Sequence, residues 1–288
     1  MTDAPATVSP ATSRPAPRRD VVPVRHWGRL IGAVAVGALV LLVAYSFATN
    51  PNFEWTVVGQ YLFTRTVLKG LLLTLEMTVI GMVVALALAV VIGVMRMSPS
   101  RVLSGVAAAW VFFFRGVPLI VLLIFVGNLG LFFKNLTLGI PFTDVVWWSA
   151  PIGHVVTPFV ASVIGLSLAG SGYMAEIVRS GLLAVGRGQH ETAKALGLNR
   201  AQTLRHIVLP QALRVIIPPL GNESIGMLKA SAIVSVIAGG DLLTVVQGIS
   251  GVNFRTIEML IVATVWYLLV IGLWSVAQYF LEKRAAER

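Results

Sequence analysis

Residues 188–210 read GQHETAKALGLNRAQTLRHIVLP, a polar and charged stretch between two apolar blocks near the middle of the chain. The 288 residues are 57% hydrophobic and only 12% charged, with a mean hydropathy of +0.86. Because soluble domains have roughly a quarter of their residues charged, most of this chain's surface must face lipid. The sequence therefore predicts an integral membrane protein in which residues 188–210 are one of the few segments suited to water.

Six apolar blocks are long enough to cross a bilayer as helices, since a hydrocarbon core of about 30 Å needs about 20 residues at a rise of about 1.5 Å each. They are residues 29–48, 70–95, 102–127, 155–178, 212–238 and 258–280. The predicted fold class is an all-α integral membrane protein with six transmembrane helices. Pro218 and Pro219 lie within the fifth block, where they predict a bent or unwound cytoplasmic part.

The first block has two interpretations. Ser46 and Ala48 are small residues of the kind found at a signal-peptide cleavage site. The block is longer than the apolar core of a typical signal peptide, which favours a retained transmembrane helix. Residues 1–28 before it are rich in Pro, Ala, Ser, Thr and Arg. They lack the apolar residues of a core and are predicted to be a disordered tail.

The distribution of cations orients the spans. Six spans put both termini on one side of the membrane, together with residues 188–210. Sixteen Lys and Arg residues lie on that side and four on the other, so the positive-inside rule makes the termini cytoplasmic. The same bias accounts for the net charge of +10, and no nucleic-acid partner is expected.

The segments between the spans are short. Residues 49–65 are expected outside, with a short amphipathic helix formed by apolar residues at helical spacing: Val57, Val58, Tyr61 and Leu62. Residues 128–154 are expected outside as a loop, with Trp147 and Trp148 near the outer boundary. Residues 281–288 are expected to be a cytoplasmic tail.

Residues 188–210, which we call the elbow, are predicted to form two short helices. Gly197 suits the end of the first helix, since glycine tolerates the left-handed conformation of a C-terminal cap. Asn199 suits the start of the second helix, which is expected to run to Leu209 before Pro210. An L-shaped projection with an apolar tip fits a groove in a partner protein. The alternative is a basic amphipathic loop lying on anionic headgroups.

The elbow also resembles a known motif. Glu191–Ala193, Gly197 and Ile207–Pro210 are similar to the EAA loop of ATP-binding-cassette (ABC) importer permeases, with Thr192 at the middle alanine position. Four further segments are similar to the polar amino-acid (His/Gln/Glu/Arg-type) permeases: residues 114–118, 175–179, 188–191 and 209–212. The first departs from that family at Val117, where Thr is usual, and residues 228–232 match it only in part. The resemblance covers residues 66–280, so the block at 29–48 is an extra span before a five-span permease domain.

The resemblance implies the membrane subunit of an ATP-driven importer of a polar amino acid in a bacterial cell membrane. The coupling loop, residues 179–210, would dock on a separate ATP-binding subunit through Gln189, Glu191, Ala193, Leu196 and Gly197. ATP and Mg²⁺ would be bound by that subunit, because this chain has no G-x-x-x-x-G-K-[ST] phosphate loop. The implied partners are this ATPase, an extracytoplasmic substrate-binding protein, and a second copy of the chain or a related permease.

Charged residues within spans are expensive and therefore candidates for function. Five polar residues are candidates for the substrate pathway: Glu76, Arg115, Asn222, Glu223 and Lys229. Such a pathway offers both signs of charge to an amino acid's ammonium and carboxylate. The alternative is that Glu76–Arg115 and Glu223–Lys229 are structural pairs. Glu176 and Arg179, on one helical face, are expected to anchor the coupling loop.

Other functions are less well supported. An ion-coupled carrier or channel would use the same intramembrane charges without an ATPase. A membrane enzyme would need an acid, base and nucleophile at suitable spacing, and no such grouping is seen. Cysteine is absent and the four histidines are scattered, so no metal site is predicted.

Overall fold

The computed structural model describes residues 27–140, 143 and 145–287. The predicted disordered tail lies outside the described residues except for its last two positions. The chain divides into two units at Phe53. The first contains α1 (Trp27–Thr49), whose described side chains up to Thr49 are all exposed. An apolar helix exposed on every side matches a span surrounded by lipid.

The second unit is helical apart from one hairpin. In chain order its elements are α2 (Trp55–Leu62), α3 (Arg65–Arg96), α4 (Arg101–Gly116), α5 (Leu119–Gly127), β1 (Asn135–Gly139), β2 (Val146–Pro151), α6 (Ile152–Val155), α7 (Pro158–Leu183), α8 (Arg187–Ala195), α9 (Arg200–Thr203), α10 (Leu209–Ala230), α11 (Leu242–Asn253) and α12 (Thr256–Glu287). A 3-10 turn follows α5 at Leu129–Leu131, a π-helical turn joins α9 to α10 at Leu204–Val208, and a 3-10 segment follows α10 at Ser231–Ile237.

The prediction of an all-α membrane protein is confirmed. Among the described residues, α1, α3, α7 and α12 are each long and apolar enough to cross a membrane. Two bent helix pairs bring the number to six if each pair is one span. The predicted short helix after the first span is α2, which buries Val58. Helix α12 continues through the predicted tail at 281–288 as far as Glu287.

The block at 102–127 is not the single straight helix that was predicted. It consists of α4 and α5, which meet at an angle of 99°. Val117, between them, is extended, with φ −77° and ψ 128°. Pro118 follows it, and the proline ring disfavours the helical conformation at the preceding residue. The break therefore lies within the family-like segment 114–118.

In the block at 212–238, the predicted bend or unwinding at the two prolines is wrong. Helix α10 continues through Pro218 and Pro219, although each proline removes one helical hydrogen bond. The irregularity comes later, in the 3-10 segment that ends at Ala238, a residue with a positive φ of 52°. A bend of 45° then separates this helix from α11.

The predicted loop at 128–154 contains a β-hairpin. Strands β1 and β2 are antiparallel, with Asn135 opposite Pro151 and Leu138 opposite Trp148. Trp147 and Trp148 are exposed. This hairpin is the exception to the all-α fold among the described residues.

Helix α7 lies at the centre of the second unit and packs against α3, α4, α5 and α10. Its glycines admit the neighbouring helices: a Cβ at Gly165 would overlap Leu123 of α5, and one at Gly181 would overlap Ile216 of α10. Small residues let membrane helices approach closely, where van der Waals contact replaces the missing hydrophobic driving force. The C-terminal ends of α3 and α7 both lie next to the elbow.

Candidate functional site

The first bend of the elbow is a glycine cap. Helix α8 ends at Ala195, and Gly197 has φ +74°. The Leu198 N–H donates to the carbonyl of Ala193 and the Gly197 N–H donates to that of Lys194, both at 3.0 Å. These two bonds form a Schellman motif, in which glycine is the usual left-handed residue. The predicted cap at Gly197 is confirmed.

The second helix of the elbow begins with a capping box. The Asn199 side chain accepts from the Gln202 N–H at 2.9 Å, and the Gln202 side chain accepts from the Asn199 N–H at 3.0 Å. The predicted start at Asn199 is therefore confirmed. Each bond satisfies a backbone donor that the first turn of a helix leaves free.

The predicted end of this second helix before Pro210 is wrong. The Leu209 N–H donates to the carbonyl of Leu204, five residues earlier, so a π-helical turn carries the chain past Pro210. Leu209 itself is helical, with φ −61° and ψ −43°. One continuous helix thus runs from Arg200 to Ile237. The second helix of the elbow and the spanning helix therefore form one continuous helix, Arg200–Ile237, which we call the rod.

The candidate coupling residues differ in exposure. Leu196, at the bend, is 70% exposed, and Gln189 and Glu191 are exposed as well. Ala193 is 1% exposed. The prediction that Ala193 contacts a partner directly is therefore wrong, because its side chain is packed inside its own chain. Gln211 of α10 donates to the Gln189 side-chain oxygen at 3.4 Å, which ties α8 to the rod.

The candidate anchor is a three-residue ion cluster. Glu176 accepts from Arg179 at 2.9 Å, as its spacing predicted, and from Arg96 at 3.1 Å. Arg96 is the last residue of α3, so the cluster joins the C-terminal ends of α3 and α7. Sequence reasoning missed Arg96, because no local spacing relates two residues 80 positions apart.

The intramembrane charges do not form the pairs considered from the sequence. Among the described residues, no ion pair joins Glu76 to Arg115 or Glu223 to Lys229. The charge of Arg115 instead acts on Glu223. Helix α4 and helix α10 thus bring an arginine and a glutamate within electrostatic range of each other, although the two form no ion pair among the described residues.

The surroundings of Arg115 were also missed by sequence reasoning. Its guanidinium carbon lies 5.2 Å from the centre of the Tyr173 ring, within the range of a cation–π interaction. A Cβ at Gly172 would lie 3.1 Å from the Arg115 Cγ, so glycine makes room for the arginine stem. The run of small residues along α7 was the sequence signal that could have indicated close packing of a neighbouring helix at this position.

Three of the other four candidate pathway residues are exposed on the single chain. Glu76, Asn222 and Lys229 are exposed, while Glu223 is partly buried. The Asn222 side-chain oxygen accepts from Gln278 of α12 at 3.4 Å. Asn222, Glu223 and Lys229 all lie on the rod that begins in the elbow.

Comparison with known proteins gives matches over most of the chain. A family profile described as the binding-protein-dependent transport system inner membrane component matches residues 77–287. The arginine transport system permease protein ArgU of Corynebacterium glutamicum is 38% identical over 274 residues, which cover 95% of this chain and 84% of that protein. The probable amino-acid ABC transporter permease protein YckA of Bacillus subtilis is 34% identical over 220 residues, covering 76% and 89%.

A solved structure is also similar. The crystal structure of an amino acid ABC transporter with histidines matches with a TM-score of 0.68 at 32% sequence identity. The match covers 81% of this chain and 99% of that one.

Proposed function

The chain belongs to the family of binding-protein-dependent transport system inner membrane components, and on that premise we propose that it is the membrane-spanning subunit of an ATP-driven importer of a polar amino acid. The named relatives include an arginine permease and an amino-acid ABC permease. ATP and Mg²⁺ are bound by a separate ATPase chain, and the importer works in a bacterial cell membrane with both termini of this chain in the cytoplasm.

The observation that carries this proposal is the continuous rod from Arg200 to Ile237. The rod joins the exposed elbow to the helix that carries Asn222, Glu223 and Lys229. When the ATPase closes on ATP, it moves the elbow, and the rod transmits the displacement to these polar side chains. Two conformations of one rigid element are the physical basis of alternating access.

Docking on the ATPase is assigned to the exposed face of the elbow. Leu196 projects from the bend and fits an apolar hollow in the partner, with Gln189 and Glu191 beside it as polar contacts. Ala193 supports the elbow from inside, and Gly197 sets its angle. The cluster of Glu176 with Arg179 and Arg96 holds the base of the coupling loop on α3 and α7.

A second copy of the chain or a related permease completes the pathway. Glu76 and Lys229 are exposed on the single chain, and charged side chains facing lipid cost several kcal/mol, roughly. Contact with a second permease would remove these side chains from lipid and line a shared pathway with both signs of charge. A substrate-binding protein delivers the amino acid on the outer side.

The proposal is tested by reconstituting the chain with its ATPase, its substrate-binding protein and labelled arginine. Uptake requires ATP. Gly197→Val weakens association with the ATPase about tenfold, because the left-handed conformation costs a residue with a Cβ about 1–2 kcal/mol. Gly186→Val is the control, since Gly186 has a negative φ of −59° and open space at its Cβ.

Two outcomes would contradict the proposal. Uptake by the purified chain alone, driven by a sodium or proton gradient, would favour the ion-coupled carrier. Equal ATPase association for Gly197→Val and Gly186→Val would show that the elbow is not the docking element.

A further inference from the structure

The base of the elbow borders an open cavity of about 630 Å³, which we call the basal cavity. It lies between the C-terminal end of α3, the C-terminal end of α7 and the elbow. We propose that the basal cavity binds an anionic phospholipid of the inner leaflet. The site goes beyond the proposed transport function, although its place in the inner leaflet follows the orientation proposed above.

The floor of the basal cavity is apolar. Val94 of α3 and Met97, the residue after α3, line it together with Leu182 of α7 and Leu204 of the rod. Three of these side chains are open to the surroundings: Val94 is 55%, Met97 44% and Leu204 51% exposed. Exposed apolar area costs about 25 cal/mol per Å² in water, so an acyl chain covering this floor is favoured.

The rim of the basal cavity is basic. His190, Lys194 and Arg200 line it, and all three are exposed. No Asp or Glu lines the cavity. In the described part of the chain, no carboxylate forms an ion pair with Lys194 or Arg200. Two cations without a counter-charge beside an apolar floor complement an anionic headgroup that carries an acyl chain.

The apolar floor of the basal cavity and its place between helices favour a lipid over a free anion as the ligand. A small phosphate would be held by the rim alone and would leave the apolar floor in water. Basic pockets between transmembrane helices on the cytoplasmic side are a known setting for lipid headgroups. A lipid bound here touches α3, α7 and both arms of the elbow, so it stiffens the junction through which the ATPase acts.

The first experiment measures binding of phosphatidylglycerol and phosphatidylcholine to the full chain in detergent, by native mass spectrometry. We expect selective retention of phosphatidylglycerol. Its affinity falls about 30-fold in the Lys194→Gln, Arg200→Gln double variant, since each basic side chain near an anionic headgroup contributes a factor of about five. Because both side chains are exposed, the variant keeps the wild-type melting temperature.

The matched control removes two other cations, both on the rod, Arg205→Gln with Arg214→Gln. Both are exposed and neither lines the basal cavity, so phosphatidylglycerol binding is expected to stay within about twofold of wild type. An equal loss in the two double variants would overturn the proposal, because it would show attraction by net charge alone. Displacement of the lipid by millimolar inorganic phosphate would also overturn it, because it would assign the rim to a free anion.

The second experiment places a photo-crosslinking residue at Leu198, which lines the cavity, in the complete transporter. We expect a lipid adduct. A crosslink to the ATPase instead would mean that the partner protein fills the cavity, and would overturn the proposal. The first experiment measures lipid binding on the chain without ATPase or transport, so its result can be interpreted even if the proposed transport function fails.

Discussion

Two proline-containing regions of the molecule behave in opposite ways. At Pro118 a block with the composition of one spanning helix breaks into α4 and α5 at 99°. At Pro210 the elbow instead continues into the membrane as one helix. The residue before Pro118 is extended, with ψ 128°, whereas the residue before Pro210 is helical, with ψ −43°.

Each proline removes one helical hydrogen bond, but the comparison shows that the neighbouring structure decides whether the helix breaks there. Before Pro210, the π-helical turn from Leu204 inserts an extra residue and restores a bonded path around the proline ring. Before Pro118, Gly116 weakens the helix, and Leu123 of α5 seats over Gly165 of α7 on the far side of the break. The first arrangement gives the continuous rod. The second gives a sharp bend at Val117 and Pro118, next to Arg115, which we call the joint.

The largest expected effect comes from softening the rod. His206→Gly with Ile207→Gly in the π-helical turn costs about 2 kcal/mol of helix stability relative to the matching alanine pair. We expect ATP-driven uptake to fall about tenfold or more, while the ATPase still co-purifies with the variant, because the elbow surface is intact. His206→Ala with Ile207→Ala should keep most of the uptake. If both pairs transport equally, the rod does not transmit the motion.

The next largest effect is expected from the interaction of Arg115, beside the joint, with Glu223 on the rod. Arg115→Gln and Glu223→Gln are each expected to lower uptake, and the double variant should be no worse than the poorer single one. The expected coupling is about 1 kcal/mol, since the effects of substituting two charges that interact are not additive. Arg115→Gln with Glu76→Gln is the control cycle and should be additive, because Arg115 acts electrostatically on Glu223, whereas no ion pair or electrostatic interaction joins it to Glu76 among the described residues. Additive effects in the Arg115–Glu223 cycle would show that these two residues do not interact and would contradict the prediction.

The smallest effect is expected from the proline of the joint itself. Pro118→Ala should change stability by less than about 1 kcal/mol and leave the bend in place, because the seating of Leu123 over Gly165 remains. Spin labels on Val106→Cys and Phe125→Cys measure this, and the chain has no native cysteine to interfere. A straightened helix would place the two backbones about 28 Å apart. A label distance rising to that value would mean that the proline alone sets the bend.

Much of the candidate site was accessible from the sequence because its signals are local. Gly197 and Asn199 act within four residues of the chain, through a left-handed cap and a capping box, so their roles could be assigned in advance. Glu176 and Arg179 are one helical turn apart, and their contact followed from spacing. Arg96 and Tyr173 could not be assigned in this way, because packing of separate helices brings them to Glu176 and Arg115.

The sequence by itself determined the membrane environment, the presence of the spans and the bend of the elbow, since hydropathy and capping depend on residues close together in the chain. Only the tertiary structure decided which proline breaks a helix, that Ala193 faces inward, and that Arg115 acts on Glu223. Those outcomes depend on how separate segments of the chain pack against one another. Close packing between helices is a property of their combined surfaces, and no single segment contains it.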